Sequence, residues 1–241
     1  MARDPRTGKP LNVTKSRRKK QYIETREGPW LAIQDTDIIP LANGDISDYQ
    51  ISWRSKQYNL QREDGILGLT RLKGPKATAA HKSLLLALED ERPSVRVSAL
   101  KALPEVATQK SDELFDWLSV LLDDKDVSVR QAASEALAIS APVFPSGVDI
   151  IIHNELRSFE PNRSKQAFRG LESLCEAWPE VACDHIDELF LETDAELRLK
   201  GAKLLGRVLV KSGHIGWDLV SWALNDDCLL YTSPSPRDMP R

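Results

Sequence analysis

A chain of 241 residues with 41% apolar content is long enough to bury one sizeable core, and a net charge of −3 excludes a uniformly basic or acidic polyelectrolyte. No stretch approaches the run of about 18 apolar residues that spans a bilayer, and no apolar signal region follows Met1. Cys175, Cys183 and Cys228 make no disulfide framework, so a reducing, cytoplasmic setting is expected.

Residues 1–20 carry eight Lys or Arg against one Asp, which leaves about −10 on the rest of the chain. The segment is too poor in apolar residues to fold alone and is expected to be a disordered basic tail. Its run Arg17, Arg18, Lys19 and Lys20 is a candidate polyanion contact, nucleic acid included; a merely solvated terminus is the competing reading. Residues 21–56 hold Trp30, Leu31, Ile33, Ile38, Ile39, Leu41, Ile51 and Trp53, broken by Pro29, Pro40 and Asn43-Gly44. That apolar load with those breakers predicts an irregular segment, with one short helix near 45–56, capping the first repeat. A partner motif centred on Trp30 is the alternative.

Residues 57–227 are organised by one period. Asp90 to Leu103 returns as Asp124 to Leu137, 34 residues on. Small residues keep that offset at Ala99, Ala133, Ala167 and Gly201, and leucines at Leu69, Leu103, Leu137, Leu171 and Leu205. Leu88, Leu122, Leu156, Phe190 and Leu224 form a third column; Leu84, Leu118, Ile152, Ile186 and Val220 form a fourth. A fixed period of this length means units that bury their apolar faces only by stacking on neighbours. Each unit divides into two helices. Leu114, Phe115, Trp117, Leu118, Leu121 and Leu122 follow helical spacing, and Asp123 to Asp126 then supplies capping chemistry for a second helix over 127–140. Leu60 to Leu72 is a degenerate second helix. Units over 77–108, 111–141, 147–178 and 179–211 follow, and residues 213–226 are the first helix of one more. Pro104 should bend its helix or end it early. The fold class is all-α, a right-handed α-solenoid of antiparallel helix pairs.

Cys228 to Asp238 matches no column. Back-translated, it resembles the transposase end of a sequencing-library adapter, so residues 228–241 are set apart as non-native. The last repeat is then expected to be truncated, leaving Leu219, Val220 and Leu224 uncovered, and the native C-terminus and repeat count lie outside this sequence.

The polar half of the register carries a resemblance. Asp90 precedes Arg96 by six, Asp124 precedes Arg130 by six, and Glu192 precedes Arg198 by six, whereas Ser158 and Ser164 stand in those places in the third unit. The Asp…Val-Arg arrangement followed by small residues resembles the short HEAT-like, armadillo-type repeats over about residues 60–226. The Trp…Leu-Gly…Tyr pattern of tetratricopeptide repeats and the Thr-Pro-Leu-His of ankyrins are not in the sequence. The resemblance implies that Asp90, Arg96, Asp124, Arg130, Glu192 and Arg198 form a hydrogen-bonded structural ladder. It also implies a concave face lined by the second helices.

The sequence holds no phosphate-cradling glycine loop, nucleophile elbow or paired-histidine metal motif. Cys183-Asp184-His185 comes nearest to a metal cluster, but residues i and i+2 diverge on a helix, so no metal, cofactor or catalytic residue is assigned. Cys175 falls in a column with Ala107, Ala141 and Leu209 and is expected to be a buried apolar residue. Trp117 and Trp222 fall in apolar stripes and are expected in the core; Trp178 is expected to be partly exposed. Lys101, Lys165, Arg169, Lys203 and Arg207 lie on the second helices and are the candidate concave-face binding residues, diluted by Glu135, Glu172 and Glu176. The leading expectation is a non-enzymatic scaffold that binds a protein through that face. The alternative is a nucleic-acid-binding protein related to HEAT-like alkylation-repair DNA glycosylases, whose groove Asp and aromatics do not map onto this chain. A HEAT-like chromophore lyase has only the fold in its favour. Oligomeric state is not encoded in these patterns.

Overall fold

The computed structural model describes residues 27–108, 112–156, 158 and 160–226; the run Arg17 to Lys20 and the segment 228–241 lie outside the described residues. The chain divides into two compact units, one ending at Ala87 and the other beginning at Leu88.

The first unit does not contain the helix expected near 45–56. After a 3-10 turn at Pro29–Ala32 and the helix α1 (Ile38–Asn43), β1 (Tyr49–Trp53) pairs antiparallel with β2 (Lys56–Leu60). Tyr49, Ile51 and Trp53 are half-buried while Gln50 and Ser52 are exposed, the alternation of a one-sided strand. The Trp53 and Tyr58 rings meet edge-on at 6.0 Å, and the Arg54 guanidinium lies 4.3 Å from the Trp53 ring centre. Arg54 and Ser55 form the two-residue turn with φ of 50° and 63°, the mirror-type geometry that closes tight hairpins and favours Asn-Gly.

The helix α2 (Arg62–Gly68) packs on α1, and a 3-10 turn at Leu69–Arg71 completes the stretch expected to be helical to Leu72. Gly65 is the contact point: a Cβ there would stand 2.6 Å from the Ala42 nitrogen, so no larger residue fits without moving a backbone. Ile33, Ile38, Leu41, Leu60, Ile66 and Leu69 form the core around this contact. Arg71 closes the unit by donating to the Ile33 carbonyl at 2.7 Å and to Asp35 at 2.8 Å. Trp30 is half-buried. The helix α3 (Ala77–Leu88) follows.

The second helices of the second unit keep the predicted period to the residue. They are α4 (Pro93–Val106), α6 (Val127–Ser140), α8 (Pro161–Ala177) and α10 (Ala195–Ser212), whose first residues fall 34 apart. The alternating first helices are α5 (Asp112–Leu121), α7 (Pro145–Glu155), α9 (Pro179–Phe190) and α11 (Trp217–Asn225). The helix starts are written in the sequence. Proline occupies the first turn of α4, α7, α8 and α9, where its missing N–H costs nothing. Asp126 and Asp194 instead cap α6 and α10, accepting from Ser128 N and Glu196 N at 2.8 Å.

The second helices form one layer, α4 on α6, α6 on α8 and α8 on α10, with α5 against α7 in the other. Between the layers Ala99, Ala133 and Ala167 are fully buried, as are Leu103, Leu137 and Leu171, with Leu205 at 3% exposure. Each such leucine contributes about 1.5–3 kcal/mol by burial. Gly170 of α8 leaves room for the Leu137 side chain of α6, since a Cβ would meet Leu137 Cδ2 at 2.8 Å.

α4 continues two residues past Pro104 to end at Val106, 14 residues long like α6 and shorter than the 17 residues of α8. One packing expectation is corrected. Trp222 is 55% exposed and not in the core; on α11 Leu224 is likewise exposed, and Leu219 and Val220 are half-buried. Trp117 is half-buried. Trp178 is exposed, as expected, and its Nε1 donates to the Pro142 carbonyl of the preceding unit at 3.2 Å.

Candidate binding face of the second helices

The arginine column shows how neighbouring repeats are joined. Arg96 Nη1 donates to the carbonyls of Asp90 and Glu91 at 2.7 and 3.0 Å, closing the loop before its own helix. Its Nη2 then reaches forward to the Asp124 carboxylate of the next repeat at 2.9 Å. Both side chains are buried, at 7% and 9% exposure. Asp124 Oδ1 also accepts from Asp126 N at 2.8 Å, which holds the carboxylate in place. Arg198 repeats the pattern, with the carbonyls of Glu192 and Thr193 behind it and the carboxylate of Asp226 ahead. The acid six residues before each arginine thus meets it through a backbone carbonyl, and the charge pairs run to the acid 28 residues after it.

Arg130 keeps only the backward half among the described residues, donating to the carbonyls of Asp124 and Lys125 at 2.6 and 3.2 Å. The position ahead is Ser158. Its hydroxyl accepts from Glu160 N as Asp124 accepts from Asp126 N, so the turn survives without the charge. Ser164, in the arginine column, donates to the Leu156 carbonyl at 3.0 Å. A displaced pair fills in: Glu155 is 5% exposed, lies 3.2 Å from Arg163 Nε and accepts from Ser119 Oγ at 3.0 Å.

With the arginine column committed to the stack, the outward charges are those of another stripe. Lys101, Lys165, Arg169, Lys203 and Arg207 are all exposed on α4, α8 and α10. Contacts tie neighbouring helices along it: Arg169 Nη1 lies 3.4 Å from Ser134 Oγ, and Arg207 pairs with Glu172 at 3.2 Å. Lys200 lies 4.9 Å from the Phe168 ring centre and pairs with Glu196. Glu135 is held by Gln131 at 3.2 Å. Positive charge therefore gathers on α8 and α10, interrupted by Glu172, Glu176 and Glu196.

Cys175 is fully buried, and burial pushes its thiol up to about 12, which disfavours the thiolate that nucleophilic chemistry needs. Burial raises Cys183 as well. The residues Cys183, Asp184 and His185 diverge on α9, the first half-buried, the second exposed and the third buried against α7. A cleft of about 390 Å³ lined by Phe115, Val143, Phe144 and Ile150 holds Asp112 as its one carboxylate and no histidine or cysteine. Among the described residues no helix is long and apolar enough to cross a membrane.

A family model described as HEAT repeats matches residues 82–150. The archaeal HEAT-like repeats protein from Thermococcus onnurineus NA1 superposes with a TM-score of 0.48 at 15% identity, covering 92% of each chain. An engineered protein superposes at 0.39 with 18% identity, covering 83% of this chain and 94% of that one. A second engineered protein gives 0.40 with 17% identity over 82% and 93%. No curated protein matches the chain. The stacked helix pairs define an all-α solenoid, and its residues 82–150 are similar to HEAT repeats.

Proposed function

We propose that this protein is a non-enzymatic scaffold whose second-helix face, the concave one in this kind of solenoid, binds an acidic segment of a partner protein across α8 and α10. The observation that carries the reading is the exposed set Lys165, Arg169, Lys203 and Arg207 on adjacent, directly contacting helices. Surfaces of this kind are what stacked repeats present to ligands. Basic residues in open stripes recruit opposite charge and set association rate and specificity more than raw affinity. Glu172, Glu176 and Glu196 alternate with the basic groups, which favours a protein segment with its own mixed charge over a uniform polyanion.

The test is a charge reversal in the full chain. Lys165→Glu, Arg169→Glu and Lys203→Glu together should abolish co-purification of the partner, while reversing an equal number of charges on the first helices leaves it intact. Retention of the partner by the triple variant contradicts the reading. A shift with duplex DNA or RNA that weakens steeply with salt would place the protein with the nucleic-acid-binding alternative instead.

A further inference from the structure

We propose that His153, His185 and Glu188 form a binding site for a divalent transition-metal ion of the zinc class, at the contact between α7 and α9. One ligand-bearing atom from each of the three lies within 4.8 Å of the other two. His153 Nδ1 and Glu188 Oε2 stand 3.5 Å apart, close to the roughly 3.3 Å edge of a tetrahedron with metal–ligand bonds of about 2.0–2.1 Å. Nothing in the spacing of any single segment marks the site, because 32 residues separate the two histidines in the chain.

The repeat builds the convergence. Asp149 and His153 lie four apart on α7, and His185 and Glu188 lie three apart on α9, so each pair shares one face of its helix. Facing helix pairs of this kind are how metal sites arise inside helical bundles. His185 is the anchor. It is 3% exposed, and its Nε2 lies 2.7 Å from the Asp149 carboxylate. A carboxylate on one ring nitrogen is the outer-shell pairing that fixes the tautomer and raises the basicity of a metal-bound histidine. The other nitrogen, Nδ1, is buried with no hydrogen-bond partner among the described residues. A buried acceptor left in that state is costly, and a ring already held by Asp149 has a lone pair to give.

The donor set selects the ion. Two imidazoles and a carboxylate suit Zn²⁺, Co²⁺ or Ni²⁺, whereas Ca²⁺ and Mg²⁺ require oxygen ligands. Half-exposed His153 leaves the ion a route from solvent and room for a water in the remaining position. Bound there, the ion ties one repeat to the next on the first-helix layer, opposite the charged stripe of the second helices. The site is independent of the proposed partner surface.

The experiment uses the untagged full chain, stripped with a chelator, titrated with Zn²⁺ by calorimetry and with Co²⁺ by visible absorption. One equivalent of Zn²⁺ should bind, and Co²⁺ should give the d–d bands of a four-coordinate nitrogen/oxygen site. His153→Ala and Glu188→Gln, both at accessible side chains, should each keep the metal-free melting temperature and bind Zn²⁺ at least about tenfold more weakly, with a loss of similar order for Asp149→Asn. Cys183→Ser with Cys228→Ser should bind as tightly as the parent. The proposal is overturned if the parent takes up no Zn²⁺, if His153→Ala and Glu188→Gln bind as it does, or if the cysteine variant loses the ion.

Discussion

Two junctions between consecutive repeats differ in the residue that stands ahead of the arginine. At the first, Arg96 bridges from its own loop carbonyls to Asp124 of the next repeat, with both side chains buried. At the second, Arg130 has the same loop carbonyls behind it and Ser158 ahead. The backbone turn is alike in both, because a serine hydroxyl accepts from the amide two residues on as an aspartate does. What differs is charge, and with it the number of groups that depend on one another. A ladder position can therefore lose its acid without losing its fold, provided another pair, here buried Glu155 with half-buried Arg163, moves in beside it.

The comparison is sharpest at Arg96. Asp124→Ala strands a buried guanidinium and should lower the unfolding free energy by about 3–5 kcal/mol in urea melts. Arg130→Met, which removes hydrogen bonds to carbonyls only, should cost about 1–2 kcal/mol. Equal losses would mean that the forward charge pair does nothing for the stack. At the second junction Glu155→Ala removes the acceptor of Ser119 and the partner of Arg163 and should cost about 2–3 kcal/mol. Ser158→Asp restores an acid ahead of Arg130 and should stabilise by about 1 kcal/mol, the gain vanishing in an Arg130→Met background.

The smallest effect concerns acid. Ser128 holds the Asp126 carboxyl below the usual aspartate range through its hydroxyl and amide. The cap therefore stabilises α6 at every pH above the unfolded aspartate value, near 3.9, and the contribution fades as pH falls through the lower folded value. Asp126→Asn should flatten that part of the pH–stability curve; an unchanged slope below pH 4 would show that other carboxylates carry it.

Much of this was legible in the residues. The columns through Ala133, Leu137, Leu122 and Leu118 are buried as far as α10, because stacking leaves those positions one environment only, and the last two open at Leu224 and Val220 on α11. The hairpin was not, although Tyr49, Ile51 and Trp53 alternate with polar residues. Its turn uses Arg54 and Ser55 at positive φ in place of the Asn-Gly that would announce it, and aromatic packing across the strands offsets the strain. Trp222 was misplaced because an apolar stripe is buried only where a neighbour covers it. The forward reach of Arg96 and the meeting of His153 with His185 were hidden for a related reason. A period shows which positions are equivalent, whereas the pairing across repeats depends on rotamers and helix offset.

The direct test is a double-mutant cycle on Arg96→Met and Asp124→Asn, read as urea unfolding free energies of the four proteins. A forward-locked stack predicts a coupling of about 1.5 kcal/mol or more between these positions, with a coupling near zero for Arg96→Met and Asp90→Asn. A null coupling for Arg96 with Asp124, or a larger one with Asp90, would contradict it.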